Sequence, residues 1–237
     1  MTEEMQVTEQ AAQGGEEAAS LVELMDMRAR TYGMLSRLFL KEVDEAVLKE
    51  MLGMKFPTAT GNKLVDEGYR MLFDCLKLSW DDTVRELAID YVRTFIGHGV
   101  NGYSAAYPFE SVYTSERRLM MQEARAEVLA TLRENGLKRG NWTEGEDHIA
   151  LELEFMQRMS MRTRDALQAG DEDTAIEELR TQQKFAREHL LNWLPMLTAD
   201  MEKFAQTKFY QGLAKLTMGY VEEDATVLEE LLDSVEE

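Results

Sequence analysis

The chain has 237 residues, 45 of them acidic against 26 lysines and arginines, for a formal charge of −19. No excess of basic charge is available to neutralise phosphates, which argues against general nucleic-acid binding, and no apolar run reaches the length of a membrane span. The acidity gathers at the ends: without the five acids of residues 1–20 and the eight of residues 221–237, the middle 200 residues stand at −6.

The opening Met1-Thr-Glu-Glu-Met-Gln lacks the basic and apolar regions of a secretory signal. Residues 1–20 have little to bury and are expected to form a disordered acidic tail. Helical periodicity then begins. Leu21, Leu24, Met25, Tyr32, Leu35, Leu38 and Phe39 make one broad apolar face. A short helix carries Val43, Val47 and Met51 and ends before Gly53 and Pro57. The next places Leu64, Val65, Tyr69, Leu72, Phe73 and Leu76 together, with the single cysteine, Cys75, beside them. One cysteine closes no internal disulfide, which fits a reducing cytoplasm. A further helix starts near Asp81-Asp82, presents Val84, Leu87, Tyr91 and Phe95, and should stop at Gly97.

Residues 97–114 form the longest irregular stretch of the body, rich in glycine and in Tyr103, Tyr107, Phe109 and Tyr113. Long loops in compact domains are commonly functional, although any one ring serves equally well as a plug between two halves. Beyond it, a helix over about 115–135 turns Met121, Ala124, Val128 and Leu132 inward and closes at Asn135-Gly136. Thr143 and Glu146 have the spacing of a capping box and predict a helix running to Gly170, with Ile149, Leu153 and Met156 anchored in the core. Thr174 and Glu177 repeat that spacing ahead of a helix that Pro195 breaks or kinks. The last long helix carries Met201, Phe204, Ala205, Leu213 and Leu216. Residues 221–237 read as an acidic tail or a short amphipathic helix. The fold class is therefore all-α: a single helical domain of about eight to ten helices over residues 21–220, or two packed halves joined by the loop 97–114.

Chemistry concentrates in Trp142-Thr-Glu-Gly-Glu-Asp-His-Ile-Ala-Leu-Glu-Leu-Glu-Phe-Met156, which sets Asp147 and His148 at a helix start. His148 and Glu152 share a helix face, but zinc needs three or four ligands; with only His98 and His189 as further imidazoles and one thiol, a local ion pair explains the spacing better. Ser111 and Ser115 could meet a base at His148. Adjacent helical residues point about 100° apart, however, so Asp147 does not orient that ring as a triad acid does. Neither a G-x-S-x-G elbow nor a Walker A loop is present. From the residues alone, Asp147 is equally well a carboxylate at a helix N-terminus, and His148 a locally bonded, partly buried histidine. The sixteen methionines are flexible apolar groups. Met25, Met121, Met156 and Met201 fall on core faces, while Met120, Met159 and Met161 are candidates for a groove wall.

The 142–156 segment resembles the E-P-x-D-H-x-x-x-E-L-x-F-M signature of the TorD/DmsD family, cytoplasmic chaperones that mature molybdenum-containing redox enzymes. Three further blocks resemble that family in the same order: Arg28-Ala-Arg-Thr-Tyr-Gly-Met-Leu-Ser-Arg-Leu-Phe39, Tyr107-Pro-Phe-Glu-Ser-Val-Tyr113 and His189-Leu-Leu-Asn-Trp-Leu-Pro195. Gly145 stands where the family usually has proline. The resemblance implies a non-enzymatic chaperone without a cofactor. Its partner would be the precursor of a molybdopterin-dependent oxidoreductase, bound through its twin-arginine leader, its body or both, so that cofactor insertion precedes export. Carried over by motif, the peptide contacts fall on Tyr91, Phe95, Tyr113, Asp147 and His148. Carboxylates would orient the leader arginines and apolar walls would supply affinity. Two rival readings remain at this level. One is a small-molecule-binding or hydrolytic helical enzyme using His148 as base; the other is a structural subunit that stays in the finished complex.

Overall fold

The computed structural model of the chain describes residues 3–57, 59–78, 82–97, 105–138, 140 and 142–236, with residues 3–17 and 236 described through their backbone alone. Tyr103 and His98, both singled out above, lie outside the described residues. Among the described residues there are ten α-helices and no strand: α1 (Glu3–Leu40), α2 (Glu45–Gly53), α3 (Lys63–Lys77), α4 (Thr83–Tyr91), α5 (Glu110–Thr114), α6 (Glu123–Glu134), α7 (Ile149–Ala169), α8 (Glu172–Phe185), α9 (Leu194–Phe204) and α10 (Lys208–Glu236). Short π-helical segments, Val92–Ile96 and Ala186–Leu190, extend α4 and α8. No described helix is long and apolar enough to cross a membrane.

Two helix pairs frame the core. Helix α1 lies along α7, and α3 lies along α10. The second pair is unusually close because small residues line the crossing. A Cβ added at Gly68 would sit 2.8 Å from the Gly212 carbonyl oxygen and 2.6 Å from the Leu216 nitrogen, so a larger residue there would push the backbones apart. Met25, Tyr32, Leu35, Phe39, Ile149, Leu153, Phe155, Trp193, Phe209, Tyr210 and Leu213 share one continuous core.

Punctuation seen in the sequence falls where it should: Gly97, Gly136 and Gly170 all adopt positive φ just beyond helix ends, where side-chain-bearing residues are strained. Pro195 occupies the first turn of α9, where its missing N–H is no loss. Three expectations need correction. The final long helix is two, because the Asp90 carboxylate accepts from the Gln206 and Thr207 backbone N–H groups (2.7–3.1 Å) and caps a new start at α10. The helix expected from 115 begins only at Glu123; Arg118 and Met121 in the preceding loop have positive φ. Met121 is consequently exposed, not core. Of the two alternatives for the acidic end, tail or amphipathic helix, residues 221–236 take the helical one, continuing α10 without a break and burying Val221, Leu228 and Leu232.

Candidate functional site

The Asp147–His148 segment does not begin a helix through the expected capping box. Glu146 is buried and bonded to Arg125 of α6, so it is not available to reach back to Thr143. Helix α7 starts instead at Ile149, capped by His148, whose Nδ1 accepts the Ala150 N–H at 3.0 Å. A crossed pair of backbone bonds sets this start against α5: Glu110 N–H donates to Asp147 O (2.9 Å) and Ile149 N–H to Pro108 O (3.0 Å). The second half of the 97–114 stretch is thus built into the interior, with Phe109, Glu110, Ser111 and Val112 buried.

Asp147 is fully buried. Its Oδ2 accepts the Ser111 N–H at 2.9 Å, and Ser111 Oγ in turn accepts the Gln122 N–H at 3.1 Å. The carboxylate therefore fixes the first turn of α5 and, through it, the end of the loop leading to α6. Its other oxygen, Oδ1, has no hydrogen-bond partner among the described residues. Gly145 gives it room: a Cβ there would lie 2.8 Å from Oδ1, so the proline expected at this position would collide with the carboxylate as it stands.

Three acids meet around this point. Glu110 Oε2 lies 3.0 Å from His189 Nδ1. Glu152 is fully buried, its Oε2 accepting from Trp193 Nε1 at 3.1 Å while Oε1 accepts no hydrogen bond among the described residues. Burial raises the Glu110 carboxyl above the ordinary range. It raises Glu152 much further, with the nearby Glu110 and Asp147 adding repulsion. Burial and this repulsion both favour the neutral form of Glu152.

The five residues expected to contact a peptide do not converge. Tyr91 and Phe95 are buried in an aromatic cluster with Phe39 and Tyr210, and the Tyr91 hydroxyl donates to Phe39 O at 2.9 Å. Tyr113, half-buried, stacks on Trp193 at 5.5 Å and donates to Asp200 Oδ2 at 3.2 Å. His148 is buried between Phe109 and Trp142, and desolvation pulls its pKa down to about 3. The ring is neutral, with Nδ1 as acceptor and the proton on Nε2, so neither nitrogen offers a lone pair to a substrate. That removes His148 as a general base. Met159 is buried as well, leaving Met120 exposed among the proposed groove methionines.

What the sequence reading missed is a groove of about 510 Å³ beside these buried acids. Glu110 and His189 line it, with Glu123, Glu127 and Glu134 from α6, Glu188 from the π-helical end of α8, and one cation, Lys184. The row Glu123, Glu127, Glu134 has i, i+4, i+11 spacing, which places the three on one face of α6; that pattern was legible. Immediately before it, Leu119, Met120 and Met121 are 53 %, 48 % and 59 % exposed. Contiguous bulky apolar surface of this kind is common at interaction sites.

Residues 62–199 match the model of the nitrate reductase delta subunit family. Among curated proteins, a chaperone protein TorD of Vibrio cholerae is 28 % identical over 217 residues, covering 88 % of this chain and 95 % of that one. A chaperone protein TorD of Shewanella piezotolerans is 27 % identical over 210 residues, covering 83 % and 90 %. One from Photobacterium profundum is 26 % identical, covering 86 % and 94 %.

Proposed function

The chain belongs to the nitrate reductase delta subunit family, alongside the TorD chaperones it resembles over most of its length, and on that premise we propose that it is a chaperone, not an enzyme, for the maturation of a molybdenum-containing oxidoreductase. It binds the twin-arginine leader of that client in the cytoplasm and holds it until the cofactor is inserted. The observation that carries this reading is the α6 groove joined to the exposed loop 119–121. A leader offers two guanidinium groups followed by an apolar stretch. The carboxylates of Glu123, Glu127 and Glu134 suit the first, as charge-assisted acceptors. Leu119, Met120 and Met121 suit the second, since methionine adapts to varied apolar partners. The formal charge of −19 steers a cationic segment toward the protein before contact.

Within this reading Asp147 is a positioning residue. It holds α5, and α5 holds the loop end at Gln122. His148 closes the start of α7, Tyr113 borders the region with accessible surface, and Tyr91 and Phe95 belong to the core. The rival enzyme reading is disfavoured by the bonded Nδ1 of His148 and by the desolvation that pulls the ring's pKa down to about 3.

Calorimetry with a synthetic two-arginine leader peptide tests the proposal. The Glu123→Gln/Glu127→Gln double variant should bind about tenfold more weakly or worse, and raised salt should weaken the wild type more than the variant. Unchanged affinity in that variant would remove the groove from the leader site.

A further inference from the structure

A second cavity, of about 770 Å³, opens between the α2–α3 connection and the first three turns of α3. Its volume lies in the range of small-molecule pockets, roughly 300–1,000 Å³. The walls are apolar: Phe56 packs against Tyr69 at 5.6 Å, Met54 and Pro57 flank them, and Phe73, one turn beyond Tyr69, is left 49 % exposed.

Charge on this cavity runs against the rest of the molecule. Lys55, Lys63 and Arg70 line it, and none of the three forms an ion pair among the described residues. The two acids that also line it are already engaged. Asp66 Oδ1 accepts from the Thr60 N–H and hydroxyl at 2.7 and 2.8 Å, and Glu67 faces Lys215 at 3.8 Å. Lys63 is, moreover, the first residue of α3, where the helix dipole disfavours a cation and attracts an anion. In a chain with 45 acids, three cations left without carboxylate partners around an aromatic cavity form a complementary surface for an anion with an apolar body.

We propose that this cavity is a second ligand site, independent of the leader groove, for a small amphiphilic anion. Its apolar or aromatic body rests on Phe56, Tyr69 and Phe73, and its carboxylate, sulfonate or phosphate is held by Lys63 and Arg70. A strongly polar ligand would leave the aromatic wall unused, and a neutral one would leave the cations unpaired.

Two fluorescent probes of similar shape separate these contributions: anilinonaphthalene sulfonate, which is anionic, and phenyl-naphthylamine, which is neutral. The full chain should bind the sulfonate at one site, about tenfold more tightly than the amine. Lys63→Gln/Arg70→Gln should bring the sulfonate down to the level of the amine and leave the amine unchanged. Phe73→Ala should weaken both. All three side chains are exposed, so thermal melts should match the wild type, and leader affinity should not change in any variant. Sulfonate binding that survives the double variant, or binding of both probes that ignores Phe73→Ala, would overturn the proposal whatever the fate of the leader groove.

Discussion

Between α1 and α10, a buried arginine and a buried aspartate neutralise each other; at the junction of α5 and α7, three buried carboxyl groups lie close together and only one of them, Glu110, meets a histidine. Both oxygens of Asp224 are occupied, by Arg28 at 2.6 and 2.9 Å and by the Tyr32 hydroxyl at 2.6 Å. At the second place Asp147 Oδ1 and Glu152 Oε1 lack hydrogen-bond donors among the described residues, and both Glu110 and Glu152 resist ionisation. The first arrangement ties the two ends of the chain together, 196 residues apart, and asks nothing of a ligand. The second gathers carboxyl groups beside an open acidic groove, where burial and mutual repulsion hold ionisation back at an electrostatic cost.

The contrast breaks most visibly at Asp224. Asp224→Ala strands the Arg28 guanidinium in the core and should lower stability by about 3–5 kcal/mol, read as the urea midpoint. Leader affinity per folded molecule should stay as in the wild type, because the pair lies outside the groove. Replacing both partners, as Arg28→Met/Asp224→Leu, should recover much of the loss. A single variant as stable as the wild type would mean that the pair does not hold α1 to α10.

A smaller effect, and on binding, is expected at Asp147. Its contact is a hydrogen bond to Ser111 N–H, which an amide oxygen can also accept. Asp147→Ala should therefore weaken leader binding about tenfold by releasing α5 and the 119–121 loop, while Asp147→Asn should restore most of the affinity. If asparagine loses as much as alanine, the carboxylate meets a leader arginine directly and the positioning role is wrong.

These two regions also differ in how far they can be seen from sequence. The helices, the glycine stops and the buried positions Ile149, Leu153 and Met156 follow from periodicity, because packing repeats every turn. The Asp147–His148 motif was visible as a motif, but its burial was not. Burial depends on Glu146 choosing Arg125 over Thr143 and on α5 folding back to bond with Asp147 O, both long-range pairings with no local signature. The α9–α10 break was hidden for the same reason: its cap comes from Asp90, more than a hundred residues earlier. The Arg28–Asp224 pair crosses nearly the whole chain, and nothing in either helix announces it. The acidic row of α6 was legible as spacing, yet its role as one wall of a groove required the opposite wall from α8.

The finest test of the comparison is Glu152→Gln, where the expected sign is a gain. The amide oxygen keeps the bond from Trp193 Nε1, and the neutral amide has no charge for burial to penalise. A carboxyl whose folded pKa is raised destabilises the fold only once the unfolded chain has lost that proton. The penalty is absent below the unfolded value, roughly 4.3; it grows as pH rises through that value and levels off above the folded one. The variant should match the wild type near pH 4 and exceed it by about 1 kcal/mol at neutral pH. His148 acts oppositely: with a folded pKa of about 3, its contribution is lost as pH falls below roughly 6.5. That loss is common to both proteins and cancels in their difference. Thermal melts from pH 4 to 8, taken as variant minus wild type, isolate the carboxyl. A difference that is flat with pH, or negative at neutral pH, would show that the Glu152 proton is not held by burial and that the acid junction is no more strained than the Arg28–Asp224 pair.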